Sequence, residues 1–484
     1  MEQCSDTPHK RSQGWKGFIM EQHDLTSQPA TPIKKSCLLG IIAFLLLLAA
    51  GALLAYVGLS AVRAYLGGNL GSLNVGRILT SVKITVILSG ASCLLALITL
   101  FLKGQKKGLA IFTLIFALLM FLVIGAMQYA YHSVNSSINR DESFTELPDE
   151  ELLVTPQQPG GKIDFELDIP VETISKEEIE DIKIKNELDW PLLEETDVPN
   201  NAYPYMYGQS PSSPCVLLPG AEQIENYILF GIDDNMLSDV IMVLSMDRAH
   251  KKIKLISIQR DTYVLVPNWG GYTKINHAYG VGKEKSSIQT LNLNFKLNIR
   301  DYFTVHYGDV SALVDIVGGV DVYVDQAELS YMQRSYGYTD LVVGINHLTG
   351  AQALNYSRIR KSGANDNEFV RTSRQREVLN SMYQSVKASS PTYYPELVNT
   401  FAKLCGTSVE TEKILSMMLE AVADGYTLEN HALINMVDFW DGQFGPGNLY
   451  YLVYDLDAAG DMIYRTIYED LYISGYPGNE KFVK

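Results

Sequence analysis

The sequence predicts an α/β protein, a sandwich with a central sheet covered by helices, preceded by three transmembrane helices and a small accessory domain. Three observations carry that prediction. The first 131 residues hold three long uncharged apolar runs. A Pro/Ser/Tyr-rich stretch from Pro199 to Pro219 reads as a boundary. Beyond it, apolar runs of strand length alternate with helical periodicity, the pattern of a sheet buried on both faces.

Length and charge agree with this division. At about 150 residues per domain, 484 residues make roughly three units. Residues 1–131 carry 11 Lys/Arg against 4 Asp/Glu, and the remaining 353 carry 28 against 51. A basic apolar head on a strongly acidic body excludes a simple cytosolic enzyme and disfavours nucleic-acid binding by the body.

Between Lys35 and Arg63 stand 27 uncharged residues, more than the roughly 20 that cross hydrocarbon, giving a first span over about 38–59. A run of 19 between Lys83 and Lys103 gives a second over 84–102, and a third follows Lys107 over 109–131. A cleaved signal peptide would explain only the first run, and no small-residue cleavage pattern accompanies it. Lys10, Arg11, Lys16, Lys34 and Lys35 precede the first span, while Lys103, Lys106 and Lys107 crowd the second loop. The positive-inside rule therefore puts the tail, 1–35, and that loop in the cytoplasm. Three spans then put everything after about residue 132 outside the membrane.

Residues 132–220 read as an acidic accessory domain and linker, broken by a turn at 155–161. Cys215 and Cys405 fall in the external part, too few for a disulfide scaffold, and their pairing is left open. No zinc-ligand spacing occurs.

Residues 221–484 form the main body. Tyr227–Ile232 and Asp239–Met246 read as buried strands and Lys252–Ile258 as an alternating one. Val310–Val317 reads as a helix, and Gly318-Gly319 turns the chain into a strand at Val320–Val324. Tyr356–Arg360 reads as a short extended segment with Arg358 and Arg360 on one side. Glu368 to about Val386 reads as a helix whose apolar stripe of Val378, Leu379, Met382 and Val386 shares a face with Arg371 and Gln375. Arg374 falls at the edge of that face and Arg376 points outward.

Arg358, Arg360, Lys361, Arg371, Arg374 and Arg376 make the densest cationic cluster of an otherwise acidic body. Guanidinium forks fit an anion with several oxygens, and a pyrophosphate is a natural guest; pairing with acidic neighbours is the competing account. Asp239 opens one strand and Asp261 follows Arg260 at the end of another, the positions where α/β folds assemble their sites. Two hard carboxylates beside a pyrophosphate suit Mg²⁺ or Mn²⁺. Lys274-Ile275-Asn276-His277 adds a cation and an amide, and His277 has no triad or metal pattern around it. There is no nucleophile elbow, P-loop or dinucleotide fingerprint.

In this combination, residues from about 225 to 470 resemble the LytR-CpsA-Psr family of membrane-anchored glycopolymer transferases from Gram-positive bacteria. The matching elements are Asn226–Asp233, Ser238-Asp239, Ser257–Tyr263, Lys274–Tyr279, Asp315–Val320, Leu348–Arg360 and Arg371–Arg376, in order and spacing. The three-span head and the preceding acidic domain look like the capsule-associated members. Glu368 stands where the family commonly has Asp, and Tyr279–Lys283 lacks its usual paired glycines, leaving Lys274 or Lys283 as the completing cation.

The resemblance implies a Mg²⁺-dependent phosphotransferase on the outer face of the cell membrane. It would move a capsular polysaccharide, wall teichoic acid or similar glycopolymer from undecaprenyl pyrophosphate to peptidoglycan. By position it implies Asp239 and Asp261 as the magnesium acids, with Arg260 and Arg371 beside them in catalysis. Lys274, Arg358, Arg360, Arg371 and Gln375 would form the pyrophosphate set. The alternatives are a membrane-bound regulator of envelope gene expression and a polyprenyl-pyrophosphate hydrolase or binding module. A tail of about 35 residues without a helix-turn-helix pattern speaks against the regulator.

Overall fold

The computed structural model describes residues 38–66, 75–102, 107–137, 139–140, 162–163, 193–206, 215–360, 368–390 and 393–476. Most of the acidic stretch 141–192 and the tail 1–37 lie outside the described residues, as does Lys361.

Helices α1 (Leu38–Leu66), α2 (Val75–Phe101) and α3 (Lys107–Ser137) are the three apolar runs. The parts long and apolar enough to cross a membrane are Leu38–Ser60, Thr80–Phe101 and Lys107–Ala126. Apolar side chains give helices no preference for one another in lipid, so contact falls to small and hydroxylated residues. Ser92 on α2 donates to the Ala43 carbonyl of α1 at 2.7 Å. Beyond its apolar part α3 runs on to Ser137 and packs against a helix of the main body, α9 below.

In the body the strands are β1 (Asn139–Arg140), β2 (Lys162–Ile163), β3 (Cys215–Leu217), β4 (Ile224–Ile232), β5 (Ser238–Asp247), β6 (Lys252–Ile258), β7 (Tyr263–Val266) and β8 (Gly271–Lys274). Then come β9 (Tyr302–His306), β10 (Val320–Val324), β11 (Gly344–Leu348), β12 (Cys405–Thr407), β13 (Thr427–Ala432), β14 (Phe439–Phe444), β15 (Leu449–Tyr454) and β16 (Tyr472–Ile473). The helices are α4 (His277–Phe295), α5 (Tyr307–Ile316), α6 (Gln326–Tyr336), α7 (Gly350–Ser357), α8 (Glu368–Ala388), α9 (Tyr394–Leu404), α10 (Thr411–Ala423) and α11 (Leu456–Tyr468).

A seven-stranded sheet in the order β1-β12-β9-β4-β5-β6-β13 is the centre. It is mixed: β4, β5 and β6 run antiparallel, while β9 lies parallel to β4 and β13 parallel to β6. Its central strands are buried on both faces, which is why they read as unbroken apolar runs. On one face α4 and α11 close a core around Phe230, Ile256, Trp269, Phe295 and Ile463. On the other, α5, α7 and α8 enclose a second core with Val322, Leu348 and Tyr356. The strand at 320–324 does form, but it pairs with β11 as a separate ribbon and not in the central sheet.

Three local expectations are corrected. Tyr356 and Ser357 end helix α7 and Arg358 caps it in helical geometry, because Thr349 and Gln352 form a capping box that starts a helix here. Arg376 is not outward: it is half-buried, and its Nη1 donates to Ser257 on β6 at 3.0 Å. Lys254 in the supposedly alternating strand is wholly buried on an ion pair. Cys215 and Cys405 are both buried free thiols in different sheets. Residues 193–206 pack onto the body, with Leu193, Val198 and Ala202 buried against Tyr263 and Tyr451.

Candidate active site

A β-bulge places the first carboxylate. Gly231 pairs with Val240 and Ile232 with Ser238, so Asp239 is the extra, unpaired residue on β5. Gly231 is required there, since a Cβ on it would sit 2.8 Å from that of Val240. The bulge aims Asp239 at the first turns of α8, where Arg371 is only 2% exposed. Arg371 donates from Nη1 to Asp239 Oδ2 at 3.1 Å and from Nη2 to the Asp239 carbonyl at 3.3 Å. Arg260 donates to Oδ1 at 2.6 Å, and Arg360 reaches Oδ2 at 3.5 Å from an exposed position.

The second carboxylate comes from the turn after β6. Thr262 caps that turn through the Gln259 carbonyl at 2.6 Å, and Leu452 and Ile275 donate backbone bonds to Asp261 and Thr262. Lys274, across the β7–β8 ribbon from Tyr263, donates to Asp261 Oδ1 at 2.5 Å and lies 5.7 Å from the Tyr451 ring centre. Arg260 Nε stands 3.5 Å from Asp261 Oδ2, so one guanidinium bridges the two acids. Lys274 is therefore the cation at the acids, whereas Lys283 is exposed in a kink of α4.

Burial alone pushes the Asp239 carboxyl up, but the charges of Arg260 and Arg371 and their hydrogen bonds outweigh it and hold it below the usual carboxylate range. His277 begins α4, bonded to Thr273 Oγ1 at 2.7 Å. Burial, with Lys274 and Arg260 adding to it, lowers its pKa to about 3, so it is neutral at any working pH and acts structurally.

Gln375 lies one turn beyond Arg371 at the polar end of an apolar cavity between the sheet and helices α5, α7 and α8. Leu229, Val305, Val310, Leu379 and Met382 line its walls. Arg358 stacks on the cavity residue Tyr307, 5.4 Å from its ring centre. Among the described residues, Gln375 Oε1, Asn276 Oδ1 and both side-chain polar atoms of Gln259 are buried with no hydrogen-bond partner.

Asp239, Asp261, Arg260, Lys274, Arg358, Arg360, Arg371 and Gln375 are thus gathered here, whereas Arg374 turns to Glu328 and Arg376 to Ser257. Sequence reasoning missed Tyr307, Tyr451, Gln259 and the bulge. Only the bulge had a signal, a glycine closing the apolar strand at 231. The set also contains what a hard divalent ion takes, two carboxylates and an unpartnered amide oxygen.

The chain is similar to several known proteins. Polyisoprenyl-teichoic acid–peptidoglycan teichoic acid transferase TagV of Bacillus subtilis (strain 168) is 28% identical over 244 residues, 48% of this chain and 60% of that protein. The similarly described TagU of Bacillus cereus (strain AH820) is 33% identical over 186 residues, 38% of this chain and 59% of that one. The match spans about three-fifths of the length of these curated relatives. The crystal structure of B. subtilis TagT covers 51% of this chain and 92% of that chain, with 22% identity and a TM-score of 0.42. Residues 194–458, more than half of the chain, match the LytR_cpsA_psr family, and the chain belongs to that LytR-CpsA-Psr family.

Proposed function

We propose that this chain is a membrane-anchored phosphotransferase that moves a glycopolymer from a polyprenyl-pyrophosphate carrier to peptidoglycan on the outer face of the membrane. The observation that carries the reading is a convergence of cations on two acids at the mouth of an apolar cavity. Arg260, Arg360, Arg371 and Lys274 converge on Asp239 and Asp261, and Gln375 joins them to the cavity. A polyprenyl diphosphate has that same pairing of an apolar chain with a multiply charged head. The relatives' descriptions as teichoic acid transferases support the same chemistry, and the three apolar helices support the tether.

The acceptor hydroxyl attacks the polymer-proximal phosphorus, the bond from that phosphorus to the bridging oxygen breaks, and lipid phosphate leaves. Arg371 and Arg360 neutralise charge growing on the phosphate oxygens. The hydroxyl proton passes to a carboxylate of the Asp239–Asp261 pair. Asp239 and Asp261 are the residues that would hold Mg²⁺, which when bound supplies charge neutralisation and orientation. Gln375 and the cavity fix the lipid phosphate as leaving group.

The test is transfer in vitro: full-length protein in lipid nanodiscs, a labelled lipid-linked polymer and purified peptidoglycan, with Mg²⁺ or with EDTA. Label on peptidoglycan that is lost with EDTA supports the whole reading. Label released free into solution would make the protein a hydrolase instead.

A further inference from the structure

Arg374 and Glu328 take no part in the arrangement above, yet they form one of the best-buried ion pairs of the body. Arg374 is 3% exposed and Glu328 6%. Arg374 Nε donates to Glu328 Oε1 at 2.6 Å, and its Nη1 donates to the carbonyl of Ile359 at 2.9 Å. Ile359 is the residue between Arg358 and Arg360. Its side chain is fully buried while both arginines are exposed.

Glu328 is itself fixed. As the third residue of α6 it closes a capping box with Asp325, accepting from the Asp325 amide at 2.9 Å through Oε2. A rigid line therefore runs from the start of α6 through Glu328 and Arg374 to the one peptide that carries the two exposed arginines. That peptide lies just past the end of α7, where a helix terminus frays unless something holds it. The contact of Arg360 with Asp239 is long, at 3.5 Å, so a displacement of about 1 Å would decide whether its guanidinium reaches an anion at all.

We infer that the Glu328–Arg374 pair is a positioning device that holds the Arg358–Arg360 peptide so that both guanidiniums meet the diphosphate of the lipid carrier. The pair touches no substrate. The inference rests on the diphosphate reading of the site, and it explains why a helix already bearing Arg371 commits another buried arginine to a backbone carbonyl. Replacing such a pair by apolar residues commonly costs little stability, so stability alone does not account for it.

The experiment is a double-mutant cycle on binding of geranylgeranyl diphosphate to the full-length protein in nanodiscs, by calorimetry, with thermal unfolding followed alongside. Glu328→Gln is expected to weaken binding about tenfold in the wild-type background, and less than about twofold when Arg358→Ala and Arg360→Ala are already present. Arg374→Lys keeps the charge opposite Glu328 but lacks the fork that spans both partners. It should follow Glu328→Gln, and it carries the test if the first variant fails to fold. An equal loss in both backgrounds, or no loss from either variant, overturns the positioning role while leaving the site reading intact. Wild-type binding by the Arg358→Ala/Arg360→Ala protein overturns the site reading, and the inference with it.

Discussion

Strand β5 carries a buried charged cluster at each end, and the two are built on opposite plans. At its start, four cations converge on Asp239 and Asp261 beside buried polar atoms that have no partner. At its far end lies Asp247, with Lys254 entirely buried on it at 2.7 Å and on Glu469 at 2.8 Å. Lys252 adds bonds to Glu469 and Glu429, and His250 bridges Asp247 and Asp470. Asp247, His250 and Glu469 lie close enough to hold a metal ion, but two ammonium groups already stand among them. Lys254 also donates to the Ile467 carbonyl at 2.6 Å, at the end of α11. The far cluster is closed, with every charge answered inside the protein, and it fastens α11 to the sheet. The near cluster is open: its cations stand at an apolar cavity beside buried amides without a partner among the described residues, a setting that suits an anion from outside.

The comparison breaks most readily by exchanging the losses. Arg371→Ala should lower lipid-phosphate release at least about 100-fold, the scale for removing one preorganised donor, while the body stays folded. Single-turnover release and a melting curve on the same preparation check it. Lys254→Met should do the reverse. It leaves Asp247 buried without its main partner, a loss of about 3–5 kcal/mol in stability, while turnover per folded molecule at low temperature is kept. Activity lost from Lys254→Met without loss of stability would erase the distinction between the two ends.

The two clusters were not equally legible in the sequence. The open one showed itself because arginines crowded a helix that also needed an apolar face, so Arg371 and Gln375 fell on the buried stripe. Its acids sat at strand ends that the apolar runs had already located. The closed one stayed hidden because its members come from β5, β6 and the segment after α11, and each alone looks like a surface charge. Lys254 fell in a strand that read as alternating, since nothing local shows that β13 pairs along the edge of β6 and that α11 packs on it. Arg376 was misread for a similar reason: periodicity gives one buried face, and α8 has two neighbours, the ribbon β10 and the sheet at Ser257. Tyr356–Arg360 read as extended because a two-residue alternation cannot be told from a helix end without its cap.

A third change sharpens the open cluster itself. Asp239 occupies the arginines in the way a phosphate would, so under the proposed function it would compete with the ligand. Asp239→Asn should bind inorganic pyrophosphate several-fold to about tenfold more tightly in EDTA, while transfer with Mg²⁺ falls. Calorimetry on the two proteins decides it. Weaker binding by the variant would mean that Asp239 orders the arginines more than it blocks them.

The smallest effect belongs to the closed cluster and concerns pH. Burial pulls the His250 imidazole down, but its hydrogen bonds to Asp247 and Asp470 and the charges of Asp247 and Glu469 outweigh it and raise its pKa. Both ring nitrogens face carboxylate oxygens, at 2.7 and 3.0 Å, which only the doubly protonated ring can serve as a donor. A pKa raised by folding gives stability that is complete below the unfolded value of about 6.5 and disappears as pH climbs through the folded value. His277, whose folded pKa is lowered, is the same in both proteins and cancels from their difference. The melting-temperature gap between wild type and His250→Gln should therefore be widest near about pH 5.5 and narrow by about pH 9, with the transfer reaction unaffected by the substitution. A gap that widened with pH would mean that the ring binds as the neutral tautomer, and that the far end of β5 is less completely closed than its ion pairs indicate.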